Sequence, residues 1–179
     1  MKISTKDYPN LFLLGFMATG KSMIGKAIAN KLDMPFIDVD SFIEEKMEMS
    51  IPEIFEKYGE AKFRQLEREF VEKEAPEKGA IISCGGGLPC RDDMPELIKT
   101  KGISICLFVP VDTILERIQK ADNRPLMQVE NQRETIENLL EARKEFYLKS
   151  DIIISLEQST RLQCVNYVYR TYIEKVKNL

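Results

Sequence analysis

Gly15-Phe16-Met17-Ala18-Thr19-Gly20-Lys21-Ser22 follows the short apolar run Leu11–Leu14 and precedes Met23–Leu32, in which Ile24, Ala27, Ile28 and Leu32 recur at helical spacing. The eight residues fit G-x-x-x-x-G-K-[ST]. A strand, a glycine loop and a helix in that order turn the pattern into a phosphate-binding loop. Gly15 and Gly20 let the backbone turn with no Cβ in the way. The loop amides and the helix N-terminus then face an anion. Lys21 is long enough to reach β- and γ-phosphates, and the Ser22 hydroxyl suits Mg²⁺. The competing reading is a glycine turn that merely spells the pattern, and the flanking strand and helix argue against it.

Working outward, 179 residues suffice for one domain covered on both sides of a sheet. Apolar residues make up 44% and charged residues 31%, the composition of a soluble globular protein. A net charge of −3, with acidic residues interrupting the lysines and arginines throughout, argues against nucleic acid as a partner. The absence of histidine removes the commonest general base and every Ser-His or Cys-His nucleophile pair. Acid–base work therefore falls to carboxylates or lysine. Cys84, Cys90, Cys106 and Cys164 have no C-x-x-C spacing and read as thiols in a reducing compartment. The polar N-terminus and the short apolar run after it suit neither a signal core nor a membrane span, so a cytoplasmic protein is expected. No exposed apolar heptad suggests a partner helix, and a monomer is expected.

Short runs, apolar on both faces, predict strands at Leu11–Leu14, Pro35–Val39, Ala80–Cys84, Ile103–Val109 and Asp151–Ser155. Helical segments separate them. Ser41–Glu44, Ser50–Glu53 and Thr113–Glu116 read as capping boxes. The last helix carries Leu162, Val165, Tyr169, Tyr172 and Val176 on one stripe. Alternating strands and helices predict a three-layer α/β/α fold with ligands at the carboxyl ends of the strands. The polar stretch at about 119–131 lies between two amphipathic helices and reads either as a surface loop or as a mobile lid over phosphates.

Several residues carry chemistry. In P-F-I-D-V-D at 35–40, strand alternation puts Phe36, Asp38 and Asp40 on one face. Buried carboxylates there need a metal ion or a hydroxyl as partner; alternatively Asp40 caps the helix that follows. Phe63, Leu66 and Phe70 form a core stripe beside Arg64, and Arg64 with Glu67 reads as a surface ion pair. Ile136, Leu139, Leu140, Arg143 and Tyr147 share a helical face. A guanidinium on that face requires an anion, either internal or a ligand. Gly85-Gly86-Gly87 at the end of the third strand admits close backbone approach to a ligand. Arg124, in the polar stretch, reads either as an exposed loop arginine or as a charge stabiliser for a transferring phosphoryl group. Arg117 is placed to stack on an adenine ring.

In combination these motifs resemble the shikimate kinase family: the phosphate loop, F-I-D-V-D, the G-E-x-x-F-R-x-x-E block from Gly59 to Glu67, the triple glycine, Arg124-Pro125-Leu126, and Arg143 near Tyr147. The resemblance covers about Leu11 to Ser159. It implies a single P-loop kinase domain over 1–179 with a five-stranded parallel sheet in order 2-3-1-4-5. It also implies transfer of the γ-phosphoryl group of ATP to the 3-hydroxyl of shikimate, in the pathway to aromatic amino acids. Nucleotide contacts would come from Gly15, Ala18, Thr19, Gly20, Lys21, Ser22, Met23, Arg117, Arg124 and Gln158. Ser22, and Asp38 through water, would hold Mg²⁺. Arg64 and Arg143 would hold the substrate carboxylate, Gly85, Gly86 and Gly87 would contact the ring, and Asp40 would help deprotonate the attacking hydroxyl. Lys21 and Arg124 would neutralise the transferring group. Ala18 stands where many members have glycine. The alternatives are a related gluconate-type or nucleotide kinase and a non-catalytic ATP-binding module.

Overall fold

In the computed structural model, which describes residues 5–91, 93–120, 131–157 and 159–179, five parallel strands form one sheet. They are β1 (Asn10–Leu14), β2 (Phe36–Asp38), β3 (Ile81–Ser83), β4 (Gly102–Phe108) and β5 (Ile152–Ser155). Their order is β2-β3-β1-β4-β5, as the family resemblance implies. All five residues of β1 are buried, so both faces of the central strand are covered. This is why Leu11–Leu14 is apolar without alternation. Every pair runs parallel, with Leu13 opposite Ser83 on one side and Ile105 on the other. The five predicted strands all form, each trimmed or extended by a residue or two at its ends.

The helices are α1 (Lys21–Leu32), α2 (Val39–Met47), α3 (Ile51–Glu69), α4 (Met94–Lys101), α5 (Val111–Gln119), α6 (Gln132–Leu148) and α7 (Arg161–Lys177). Ser50 and Glu53 form the expected capping box at the start of α3. The other two boxes are not where spacing put them. Asp38, not Ser41, caps α2, its carboxylate accepting from the Ser41 amide. Thr113 lies inside α5, which begins after Pro110. Gly59, at φ 79°, breaks the helical path of α3 and separates Ile51–Tyr58 from the segment that carries Arg64. On α7 the buried stripe is Cys164, Val165, Val168 and Tyr172, while Leu162 is exposed. Of the expected stripe Val165 and Tyr172 are buried and Tyr169 and Val176 pack half-buried against the core, so only Leu162 falls outside it, while Cys164 and Val168 join it.

Polar side chains tie the strand starts together. Asn10 is fully buried, donates to the Pro76 and Lys101 carbonyls and accepts from the Ala80 amide. Tyr172 reaches from α7 to the Pro9 carbonyl at 2.6 Å. The amino ends of the sheet are thereby pinned, and the loops at its carboxyl ends carry the polar groups that follow.

Candidate active site

The loop after β1 turns through three positive-φ residues, Gly15, Ala18 and Gly20, before α1 starts at Lys21. Gly15 has no room for a side chain, since a Cβ there would collide with the Leu107 carbonyl of β4. Thr19 is buried and donates to the Phe16 carbonyl at 2.9 Å, which holds the turn closed. Lys21 is buried as well and donates to the Gly15 and Phe16 carbonyls, both at 2.8 Å. Burial brings its pKa down to about 8, against the pull of nearby Asp40 and Asp38. Met23 lies in the first turn of α1 with its methyl 3.9 Å from a Cβ built on Gly20. Arg117 of α5 reaches across to donate to the Ala18 carbonyl at 2.8 Å, beside the loop.

Ser22 and Asp38 come together as expected, with the hydroxyl donating to Asp38 Oδ2 at 2.7 Å. Ser83, at the end of β3 and opposite Asp38 in register, adds a hydroxyl 3.2 Å from Ser22 Oγ. Sequence reasoning missed Ser83. Its signal was available, because it is the one polar residue closing an apolar strand two positions before the triple glycine. The three oxygens form a hard-donor cluster of the kind Mg²⁺ prefers.

Asp40 is not on the strand. The chain leaves β2 at Asp38 and winds directly into α2, so Asp40 sits in the first helical turn without capping it. There its Oδ1 is buried with no hydrogen-bond partner among the described residues. Burial, reinforced by Asp38, raises its pKa from the ordinary aspartate value. Glu67 shares this condition. It is only 1% exposed, so its pair with Arg64 is not the surface ion pair the spacing suggested. Leu66 and Phe63 pull this face of α3 into the core and take Glu67 with them. Burial pushes the Glu67 pKa up to about 7 although Arg64 opposes it. Its Oε2 accepts from Arg64 Nη1 at 2.9 Å, while Oε1 has no partner among the described residues.

The triple glycine is the meeting point. None of Gly85, Gly86 and Gly87 has positive φ, so space rather than backbone conformation explains them. A Cβ on Gly85 would stand 2.5 Å from Asp40 Oδ1, and one on Gly87 would stand 2.5 Å from Arg64 Nη1. One on Gly86 would approach the Met17 amide of the phosphate loop at 3.4 Å and Arg143 Nη1 at 3.5 Å. Arg64 and Arg143 line one pocket of about 460 Å³ with Gly87, Cys90, Arg91 and Glu60. Glu60 and Glu67 engage three of the Arg64 N–H groups, leaving two of the five for a ligand. Arg143 packs its guanidinium 5.6 Å from the Phe16 ring centroid. Among the described residues it has no carboxylate within ion-pair distance. Of the remaining expected site residues, Arg124 and Gln158 lie outside the described residues, as does most of the expected lid at about 119–131. Chemically, the arrangement sets a glycine loop of the kind that suits phosphate beside a pocket whose two guanidiniums suit an anion.

The family profile described as Shikimate kinase matches residues 17–174. The shikimate kinase of Thermodesulfovibrio yellowstonii is 40% identical over 169 residues, covering 94% of this chain and 97% of that protein. The structure of a shikimate kinase from Acinetobacter baumannii in complex with shikimate superposes with a TM-score of 0.86 at 32% identity, covering 95% of this chain and 96% of the other. A gluconokinase from Sinorhizobium meliloti 1021, at 15% identity and a TM-score of 0.62 over 95% and 94% of the two chains, shares the fold alone.

Proposed function

The chain belongs to the shikimate kinase family, and on that premise we propose how its residues move the γ-phosphoryl group of ATP to the 3-hydroxyl of shikimate. Family membership makes it an ATP-dependent kinase of the shikimate pathway to aromatic amino acids. The proposal concerns the parts. Lys21 leaves the Gly15 and Phe16 carbonyls and takes the β- and γ-phosphates, which the amides of Gly15 to Met23 cradle. Arg117 stacks on the adenine from its place beside Ala18.

Arg64 and Arg143 grip the shikimate carboxylate. The support is that two guanidiniums with N–H groups to spare line one pocket next to Gly87. Gly85, Gly86 and Gly87 lie against the ring, because any side chain there would occupy the space that Asp40, Arg143 and Arg64 need. Asp40 accepts the proton of the attacking hydroxyl. A buried carboxylate oxygen with no partner among the described residues, and a pKa raised by that burial, is suited to the task. Most of the rate enhancement is positioning and charge stabilisation.

Ser22, and Asp38 through water, would hold Mg²⁺, a choice supported by their all-oxygen cluster with Ser83. When bound, the ion offsets the charge of the phosphate oxygens. The proposal takes the enzyme as a single-domain cytoplasmic monomer acting on small molecules, without nucleic acid or membrane. No described helix is long and apolar enough to cross a membrane.

The observation that carries the reading is the convergence of the phosphate loop, Asp40, Arg64 and Arg143 on one glycine turn. A coupled ADP-release assay with shikimate, gluconate and a nucleoside monophosphate as acceptors tests it. Turnover is expected with shikimate. Turnover with gluconate and none with shikimate overturns the substrate, and ATP binding without any turnover assigns a non-catalytic module.

A further inference from the structure

We infer that Tyr147, assisted by Cys90, is a positioning residue for the acceptor: both donate to the Gly86 carbonyl and so fix the peptide between Gly86 and Gly87 with its N–H turned toward the pocket. The inference rests on the shikimate kinase reading of that pocket. Tyr147 is completely buried in α6, and its hydroxyl donates to the Gly86 carbonyl at 2.6 Å. The Cys90 thiol approaches the same oxygen at 3.6 Å. Every described peptide bond is trans, so the carbonyl and the N–H of one peptide point in opposite directions. Drawing the Gly86 oxygen back toward Tyr147 therefore directs the Gly87 N–H the other way.

Gly87 lines the pocket together with Arg64 and Arg143. Among the described residues its N–H has no acceptor, whereas its carbonyl and that of Gly85 close local turns by accepting from Cys90 and Leu88. An oriented backbone donor of this kind, on a half-buried glycine, suits a ring hydroxyl or a carboxylate oxygen. Both side-chain donors keep their protons at neutral pH. Burial raises the Tyr147 pKa far above its ordinary value and pushes that of the Cys90 thiol up to about 11. The same bond couples two pieces of the site. Arg143 lies one helical turn before Tyr147 on α6, and its Nη1 lies 3.5 Å from where a Gly86 Cβ would be. Anchoring Gly86 to Tyr147 therefore holds the glycine turn and the Arg143 helix in one register.

Tyr147→Phe keeps the ring and its edge contact with Phe108, and removes the hydroxyl with its bond to the Gly86 carbonyl. Steady-state kinetics with each substrate varied should show a roughly tenfold rise in the KM for shikimate, with kcat and the KM for ATP within about twofold of wild type. Cys90→Ala should raise the shikimate KM about threefold. The double variant should exceed the product of the single effects, because the carbonyl then has no donor left. A folded Tyr147→Phe with unchanged shikimate KM, or one in which both KM values rise equally, overturns the inference. A lowered Tm with unchanged KM does so too, since it leaves Tyr147 as a core residue only. A wild-type chain inactive on shikimate overturns the functional reading and the inference together. An active wild type with an indifferent Tyr147→Phe overturns the inference alone.

Discussion

Asp40 and Glu67 face each other across Gly85: a Cβ placed on that glycine would lie 2.5 Å from Asp40 Oδ1 and 3.2 Å from Glu67 Oε1. Neither oxygen has a partner among the described residues. Two acids from different helices, Glu67 buried and Asp40 half-buried, thus depend on one missing side chain for the room they occupy.

Gly85→Ala must push Asp40 aside. Displacing a group that meets the reacting hydroxyl by about 1 Å costs on the order of 100-fold in kcat. Fluorescence titration should find ATP affinity intact, because the phosphate loop is on the neighbouring strand. Asp40→Asn should give the same signature without a steric change. Wild-type kcat in Asp40→Asn would remove the acid–base role.

Arg64→Ala loses a charge-assisted pair with the substrate, about 2–3 kcal/mol, or a rise of roughly 30–150-fold in the KM for shikimate. An unchanged KM would take Arg64 out of the acceptor pocket.

The buried Lys21, with its pKa near 8, makes nucleotide binding proton-linked. A polyphosphate anion favours the charged ammonium, so binding draws a proton onto Lys21 when it is partly neutral. ATP affinity should therefore hold below pH 8 and weaken above it, approaching a tenfold loss per pH unit. Calorimetry at pH 8 in buffers of different ionisation enthalpy should register proton uptake. Identical heats in all buffers would contradict it.

Glu67 links stability to pH with the opposite charge type. Its pKa rises from 4.5 to about 7 on folding, so the folded state holds the proton more tightly than the unfolded chain. This contribution is fully present below about pH 4.5 and disappears as pH climbs through 7. At about 1.4 kcal/mol for each tenfold in proton affinity it amounts to up to about 3 kcal/mol. Glu67→Gln should flatten the decline of chemical-denaturation stability between pH 5 and pH 8. A decline as steep as in wild type would place the linkage elsewhere.

Ala18 adopts φ 61°, a conformation that L side chains resist. Ala18→Gly should relieve that strain at some cost in unfolded-chain entropy, for a net gain of about 0.5 kcal/mol and about 1–2 °C in Tm. A fall in Tm would show that the entropy cost dominates.

What could be read from sequence follows the range of the interactions. The phosphate loop is legible because glycine, lysine and serine act within eight consecutive residues, and the strand order follows from the family resemblance. Asp40 defeats period-two counting, because Asp38 caps α2 and ends the strand first. The Arg64–Glu67 spacing reveals the pair, but its burial depends on Phe63 and Leu66 packing into the core. The bond from Tyr147 to Gly86 spans 61 positions of chain, and no local pattern announces a partner so distant.

The phosphate loop leaves β1 and the glycine turn leaves β3, and these strands are hydrogen-bonded neighbours with Leu13 opposite Ser83. The two loops proposed to hold phosphoryl donor and acceptor therefore start from adjacent threads of one fabric, spaced about 4.8 Å apart by backbone hydrogen bonding. Changes in the surrounding loops can retune how firmly each reactant is held. On the proposed reading, the spacing between the two reactants would then be set by the sheet and not by those loops.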